Sequence, residues 1–111
     1  MEKIFIPVDG DQIIATLVFV PEGKSRLAVV ICHGFRGTKE NGGKIYAFAD
    51  KLTRRGLMVA AFDFRGSGES SGAFGDMTLT QQVADLKQVC AYIGTRYQIP
   101  QILLGRSFGG S

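Results

Sequence analysis

Apolar residues follow a different pattern in the first twenty residues than in the rest of the chain. Residues 3–8 alternate apolar with more polar side chains, as in a strand that has one buried face. Residues 12–20 predict a second strand, and Asp9-Gly10 between the two is a strong signal for a hairpin turn. Because Pro7 has no amide hydrogen to donate to a sheet ladder, we expect the first strand to lie at an edge.

Three later segments are unbroken apolar runs instead. They are Leu27–Cys32, Leu57–Phe62 and Ile102–Leu104. Short runs of this kind suit strands that are covered on both faces, which is the situation of strands in a parallel sheet.

Two segments between these runs have helical spacing. Apolar residues three and four positions apart mark the first helix, and Gly56 supplies its end; these residues are Ile45, Phe48, Ala49 and Leu52. Thr78 with Gln81 forms a capping box at the start of the second helix. Its apolar face is predicted to carry Val83, Leu86, Cys90, Ile93 and Tyr97. The order strand, helix, strand, helix, strand predicts an α/β fold: a mainly parallel sheet with flanking helices and an N-terminal antiparallel hairpin.

The last predicted strand runs directly into the pattern G-x-S-x-G. In a nucleophile elbow the serine occupies a sharp turn from strand to helix, and its neighbours must be small to avoid colliding with both elements. Gly105 and Gly109 meet that need, so Ser107 is the candidate catalytic nucleophile. The same pattern could also be a glycine-rich loop with an inert serine, but its position after a buried strand favours the elbow.

A second candidate segment follows the first buried run. Acyl transfer needs two donors aimed at the carbonyl oxygen as it becomes negative. We expect these to be the backbone N–H of Phe108, next to the serine, and the N–H of Phe35 in this second segment. Gly34 would let the backbone come close to the substrate. The side chain of His33 is expected to order this loop.

A third segment, Phe62–Ser70, follows the middle buried run. Its glycines predict turns, and Asp63 and Arg65 are expected to fix the loop by hydrogen bonds. The alternative is that this segment forms one wall of an acyl pocket.

Together the motifs HGF-x-G, D-F-x-G-x-G-x-S and G-x-S-x-G-G resemble the α/β-hydrolase superfamily. They are most similar to its cinnamoyl/feruloyl-esterase and serine-aminopeptidase-like branch, close to dienelactone-hydrolase relatives. The resemblance implies a Ser–His–Asp hydrolase of small acyl esters, thioesters or amides, with Ser107 as nucleophile and with no cofactor or metal. In that family the triad histidine comes late in the chain, which also favours a loop-ordering role for His33.

The chain departs from this family in length. The family continues past the elbow and supplies the triad Asp and His there, whereas the only histidine here is His33 and no carboxylate follows Ser107. Residues 1–111 are therefore interpreted as the N-terminal part of a single, truncated α/β-hydrolase domain. A serine without a base is a weak nucleophile. The alternative is an inactive fragment that acts by association with other chains, and we expect self-association or dependence on further C-terminal residues.

Composition excludes several other classes. The 13 basic residues are scattered and the net charge is only +3, so no basic stripe for nucleic acid is present. No apolar run could span a membrane and the first residues lack a signal-peptide core, so the expected location is the cytoplasm. Cys32 and Cys90 lie in apolar segments and are expected to be buried, reduced thiols. A P-loop is disfavoured because Gly37–Ile45 has the wrong spacing and Ile45 replaces the magnesium-binding Ser or Thr.

Overall fold

A five-stranded sheet with a helix on each face forms the part of the chain that the structure describes. The structure is a computed structural model and describes residues 1–33, 38–73, 75 and 78–105. The elements in chain order are β1 (Glu2–Pro7), β2 (Ile13–Phe19), β3 (Ala28–Cys32), α1 (Lys44–Thr53), β4 (Met58–Phe62), α2 (Leu79–Tyr97) and β5 (Gln101–Gly105). The strand order in the sheet is β1-β2-β4-β3-β5.

The sheet is mixed, with an antiparallel hairpin on one side and parallel strands on the other. β1 pairs antiparallel with β2, and β2 pairs antiparallel with β4. β3 lies between β4 and β5 and is parallel to both. The predicted α/β fold class is therefore confirmed. Pro7 does lie on an edge strand, since β1 is the first strand of the sheet.

The two helices cover opposite faces of the parallel strands. Ile45 and Ala49 of α1 pack with Val29 and Ile31 of β3 on one face, whereas α2 packs on the other face, against side chains such as Val30. Right-handed crossovers explain this arrangement. The crossover through α1 moves from β3 to β4, and the crossover through α2 moves in the opposite direction, from β4 past β3 to β5. Two crossovers of the same hand that run in opposite directions place their helices on opposite faces of the sheet. Both faces are dry, so consecutive residues of β3 and β4 must be apolar.

The helix ends follow the local signals. Gly56, with φ of 82°, follows α1, and the Gly56 and Leu57 amides donate to the carbonyls of Thr53 and Leu52, the two bonds of a Schellman motif. The Thr78 hydroxyl accepts a hydrogen bond of 3.1 Å from the Gln81 N–H at the start of α2. Within the described residues, neither helix combines the length and the apolar character that crossing a membrane requires.

The buried face of α2 differs from the prediction. Val83 is 44% exposed, whereas Val89, Ile93 and the carboxylate Asp85 are fully buried. Spacing alone predicts Val83 on the buried face, and that assignment is wrong. The buried line of α2 runs through Asp85, Val89 and Ile93, and Val83 lies to one side of it.

The buried carboxylate of Asp85 ties α2 to the loop after β4. Its Oδ2 accepts the Arg65 backbone N–H at 2.8 Å and its Oδ1 accepts the Arg65 Nε–H at 2.7 Å. Arg65 Nη1 also donates to Gln12 Oε1 at 2.7 Å, next to the hairpin turn. Burial alone would lower the pKa of Arg65, but its hydrogen bonds and charge interactions with Asp85 and Asp9 together outweigh burial and raise that pKa.

The two thiols are free and half-buried, so they are less enclosed than expected. Burial raises the pKa of the Cys32 thiol to about 11, and the nearby Cys90 adds to this shift. Burial also raises the pKa of Cys90. Both groups therefore remain protonated near neutral pH.

β5 forms the second edge of the sheet and is poorly covered. Ile102, Leu103 and Leu104 are all exposed, with Leu103 at 53%. Among the residues that the structure describes, β5 pairs with β3 alone, and no strand pairs with its other side. An exposed apolar strand edge is a template for pairing with another strand.

We predict that replacing Asp85 by Ala lowers the free energy of unfolding by about 3 kcal/mol or more, because Arg65 loses its buried partner. Asp50→Ala is the control, since Asp50 forms an exposed ion pair with Arg54 that is worth about 0.5 kcal/mol at most. Urea denaturation measures both values. Equal losses in the two variants would contradict the structural role of Asp85.

We predict that the 111-residue chain self-associates at micromolar concentration through β5. Leu103→Lys should shift its sedimentation toward a 12.0 kDa monomer, because association would bury the lysine charge on the edge strand. Val83→Lys changes an apolar residue of α2 whose exposure is similar to that of Leu103, and this variant should leave association unchanged. A compact monomer without dye-binding apolar surface would show that β5 is not an association surface.

Candidate functional site

The three motifs of the sequence begin at the same edge of the sheet, the one formed by the carboxyl ends of β3, β4 and β5. In the parallel register Cys32 of β3 lies beside Phe62 of β4 on one side and beside Gly105 of β5 on the other. Neighbouring strands are about 4.8 Å apart. The segments that follow these strands therefore start next to one another, with the segment after β3 in the middle.

The structure describes only part of the predicted site. His33 and Gly105 are described, and Gly105 ends β5 as the elbow motif requires. Ser107, Phe108 and Gly109, together with Gly34 and Phe35, lie outside the described residues. The nucleophile and the two oxyanion donors thus stay predictions.

His33 is buried at the start of the segment after β3. Its Nε2 accepts the backbone N–H of Phe64 at 3.2 Å, and its ring meets the Phe64 ring edge-on with centroids 5.0 Å apart. Phe64 in turn packs edge-on against Phe62 at 4.8 Å. These contacts agree with the loop-ordering role expected of His33.

Lys39 and Asp63 form a buried ion pair at the same edge. Neither side chain is exposed, and Lys39 Nζ lies 2.6 Å from Asp63 Oδ2. The same ammonium contacts Glu69 Oε1 at 2.8 Å and Glu40 Oε2 at 2.9 Å, so each of its three hydrogens has a carboxylate acceptor. Burial alone would lower the pKa of Lys39, but hydrogen bonds to the three carboxylates outweigh burial and raise it.

Asp63 also holds two backbone segments together. Its Oδ1 accepts the Lys39 backbone N–H at 2.7 Å, and its Oδ2 accepts the Glu69 backbone N–H at 3.0 Å. Gly68, with φ of 52°, lies so close that a Cβ there would overlap the Asp63 carboxylate. A glycine is therefore required at position 68 for both conformation and space.

The loop after β4 is further bound to β2. The Ser70 hydroxyl donates to the Asp63 carbonyl at 2.6 Å and accepts the Ala15 N–H at 2.8 Å. The Ser71 hydroxyl accepts the Ile13 N–H at 2.8 Å. The structural role predicted for Asp63 and Arg65 in this loop is thus confirmed. Within the described residues, no contact supports the alternative that segment 62–70 forms a wall of an acyl pocket.

Sequence reasoning missed Lys39, Glu69 and Asp85 as buried or bridging charges. A signal existed for Asp85, because it lies four and eight positions before Val89 and Ile93 and so shares their buried line on α2. No local signal marked Lys39 as buried, since two of its three carboxylate partners, Asp63 and Glu69, come from distant points of the chain. Among the described residues, no group of three His, Cys, Asp or Glu side chains could hold a metal ion.

Glu69 bridges two lysines at the rim of this cluster. Its hydrogen bond to Lys3, followed by that to Lys39, lowers the pKa of its carboxyl from 4.5 to about 2. A carboxyl with a lowered pKa in the folded state stabilises the fold above its unfolded pKa. That contribution is lost as the pH falls toward about 2.

We predict that the free energy of unfolding falls between pH 4.5 and pH 2 in part because Glu69 becomes protonated. Glu69→Gln should reduce this pH dependence, because glutamine does not titrate. Glu22→Gln is the control, since Glu22 makes no ion pair with any described residue. Urea denaturation across this pH range measures the slopes, and equal slopes for Glu69→Gln and the unmodified chain would contradict the assignment.

A family model described as "Serine aminopeptidase, S33" matches residues 23–111. A monoacylglycerol lipase of Mycolicibacterium smegmatis is 32% identical over 111 residues, which is 98% of this chain and 38% of the lipase. An uncharacterized abhydrolase domain-containing protein of Dictyostelium discoideum is 31% identical over 93 residues, which is 83% of this chain and 9% of that protein. The chain thus spans less than half the length of these relatives.

Solved structures agree in fold. Est1E from Butyrivibrio proteoclasticus, determined with ferulic acid bound, superposes with a TM-score of 0.82 at 24% identity, covering 92% of this chain and 41% of that chain. An alpha-beta serine hydrolase homologue from Coxiella burnetii superposes with a TM-score of 0.75 at 25% identity, covering 94% of this chain and 50% of that chain. The family match over residues 23–111, the strand order and these superpositions agree, and the chain belongs to the serine aminopeptidase S33 family of α/β hydrolases.

Proposed function

We propose that this chain carries the nucleophile and the oxyanion hole of a serine hydrolase that cleaves small acyl esters. Ser107 attacks the acyl carbonyl, and the backbone N–H groups of Phe35 and Phe108 stabilise the oxyanion that forms. Thioesters and small amides share the same acyl chemistry and belong to the same substrate class. In this proposal residues 1–111 are the N-terminal part of a single α/β-hydrolase domain.

One observation carries this proposal. Cys32 of β3 and Gly105 of β5 are register partners, so the segment with the HGF-x-G motif and the segment with the G-x-S-x-G motif start about one strand spacing apart. Oxyanion donors act at about 3 Å from the carbonyl oxygen. Two segments that start about 4.8 Å apart can therefore both reach a single acyl group.

The comparisons support ester chemistry for the whole protein. The relative from Mycolicibacterium smegmatis is named a monoacylglycerol lipase, and it matches nearly the whole of this chain. The family description names an aminopeptidase, which keeps small amides among the substrates to be assayed.

The general base is proposed to come from outside these 111 residues. His33 is the only histidine in the sequence, and its Nε2 accepts the Phe64 N–H. A base must lie within hydrogen-bond reach of the serine oxygen and have a nitrogen available for the proton. His33 is instead one of the groups that hold the segment after β3.

A second candidate function is association with another chain. The exposed apolar residues of β5, above all Leu103, favour it. In that case the 111-residue chain acts as a binding partner and turns over no ester, and the sedimentation of Leu103→Lys separates the two functions.

We predict that Ser107→Ala, in the full-length protein that contains these residues, lowers kcat/KM for a short acyl ester by about 10³-fold or more, because the nucleophile is lost. The matched control is Ser25→Ala. Ser25 lies in the turn before β3, at the amino end of that strand and so away from the carboxyl ends where the motifs begin. A fluorophosphonate probe should label the unmodified protein and the Ser25→Ala variant but not Ser107→Ala. Unchanged ester turnover in Ser107→Ala would overturn the assignment.

A further inference from the structure

Two edges of the sheet are unpaired within the described residues, and β1 forms the one that lies opposite β5. β1 pairs with β2 alone. Phe5, in the middle of β1, is 52% exposed and stands across from the small residue Ala15. An exposed aromatic side chain on a bare strand edge marks a surface on which another strand can pack.

Alternate residues of β1 direct their backbone groups away from the sheet. The Val8 N–H donates to the Gln12 carbonyl at 2.9 Å across the hairpin, and in an antiparallel ladder the same bonding to β2 recurs at Ile6 and Ile4. The residues between them point outward; they are Lys3, Phe5 and Pro7. The residues opposite the last two agree with this phase, because their N–H groups bond to the loop after β4.

A groove of about 380 Å³ runs beside β1 on the face that α2 covers. Ile6 and Pro7 form the wall on β1. The wall on α2 consists of residues one to four positions apart; they are Gln88, Ala91, Tyr92, Thr95 and Arg96. A strand added to β1 would lie about 4.8 Å further out, and its side chains on this face would enter the groove. The free edge and the groove thus form one docking surface.

We propose that this surface takes β1 of a second copy of the chain, which gives a twofold dimer with one continuous sheet. In antiparallel pairing about Phe5, the two Phe5 residues exchange both of their backbone hydrogen bonds. The Lys3 N–H of each copy donates to the Pro7 carbonyl of the other. Ile4 of the second copy then stands opposite Ile6 and fills the groove, while the two Phe5 rings meet on the other face.

Charge at the two ends of β1 favours a second copy as the occupant. The end at the hairpin turn carries the exposed residues Asp9 and Asp11. The other end carries Lys3 and Arg96, and Glu2, which interacts with Arg96, offsets part of their charge. Antiparallel pairing places the acidic end of each copy beside the basic end of the other. The Lys3 ammonium itself does not oppose pairing, because it already binds a carboxylate at 2.8 Å.

The dimer is expected to be weak. Two paired six-residue strands form a smaller contact than the total of about 1,200 Å² at which stable complexes begin. Its dissociation constant therefore lies above the micromolar range in which β5 is expected to associate.

Sedimentation equilibrium of the full-length protein, from micromolar to millimolar concentration, tests the inference. Phe5→Lys should weaken dimerisation by about 10-fold or more, because it removes the aromatic pair and places two like charges side by side. Val20→Lys is the matched control, since Val20 is 51% exposed and lies outside β1, and it should leave dimerisation unchanged. A monomer at millimolar concentration, or equal dimerisation in Phe5→Lys and the unmodified protein, would overturn the inference.

A second pair of variants serves if Phe5→Lys does not fold. Ala91→Arg fills the groove and leaves β1 unchanged, whereas Ala47→Arg makes the same change at an exposed alanine of α1. Dimerisation should weaken in Ala91→Arg alone. Equal dissociation constants in these two variants would overturn the inference.

Amide hydrogen exchange identifies the edge that is used. Raising the protein concentration should protect the N–H groups of Lys3 and Phe5, which point outward in the monomer. The N–H groups of Ile4 and Ile6 bond to β2 and should show no such dependence on concentration. A dimer whose formation leaves the exchange of Lys3 and Phe5 unchanged would contradict pairing through β1.

Discussion

The central strands β3 and β4 are covered by a helix on each face, and this double cover constrains everything around them. No polar side chain can lie along these strands without losing water on both sides, so charged and reactive groups collect where the strands end. The carboxyl ends of β3, β4 and β5 meet at one edge. That edge holds His33, Asp63 and the start of the predicted elbow.

Buried charge at this edge organises the loops. Asp63 and Asp85 are both fully buried, and each binds a backbone N–H and a cationic side chain from a different segment of the chain. Burying an ion pair brings little net stability, since desolvation offsets much of the attraction, but removing one partner is costly. Such pairs therefore fix which loop conformation is adopted more than they add to overall stability.

The same edge links the family assignment to the proposed chemistry. An elbow serine requires a strand that ends beside an oxyanion segment, and Gly105 and Cys32 are register partners. The segment after β3 is bound on its other side to residues that follow β4. In this arrangement the loop after β4 and the segment after β3 support each other.

The sequence by itself determined the strands, both helices and the family. Unbroken apolar runs predict β3 and β4 because both faces are buried, and Gly56 and Thr78 act within a single turn of backbone. Only the tertiary structure decided which charges are buried. Val83 was expected inside and lies outside, because the buried line of α2 runs through Asp85, Val89 and Ile93 and Val83 lies to one side of it. The ammonium of Lys39 meets the carboxylates of Glu40, Asp63 and Glu69. Asp63 and Glu69 are distant from Lys39 in the sequence, and the pairing of β3 with β4 brings them close. Local patterns report what each segment must bury, whereas the partners of a buried charge depend on how the whole sheet is assembled.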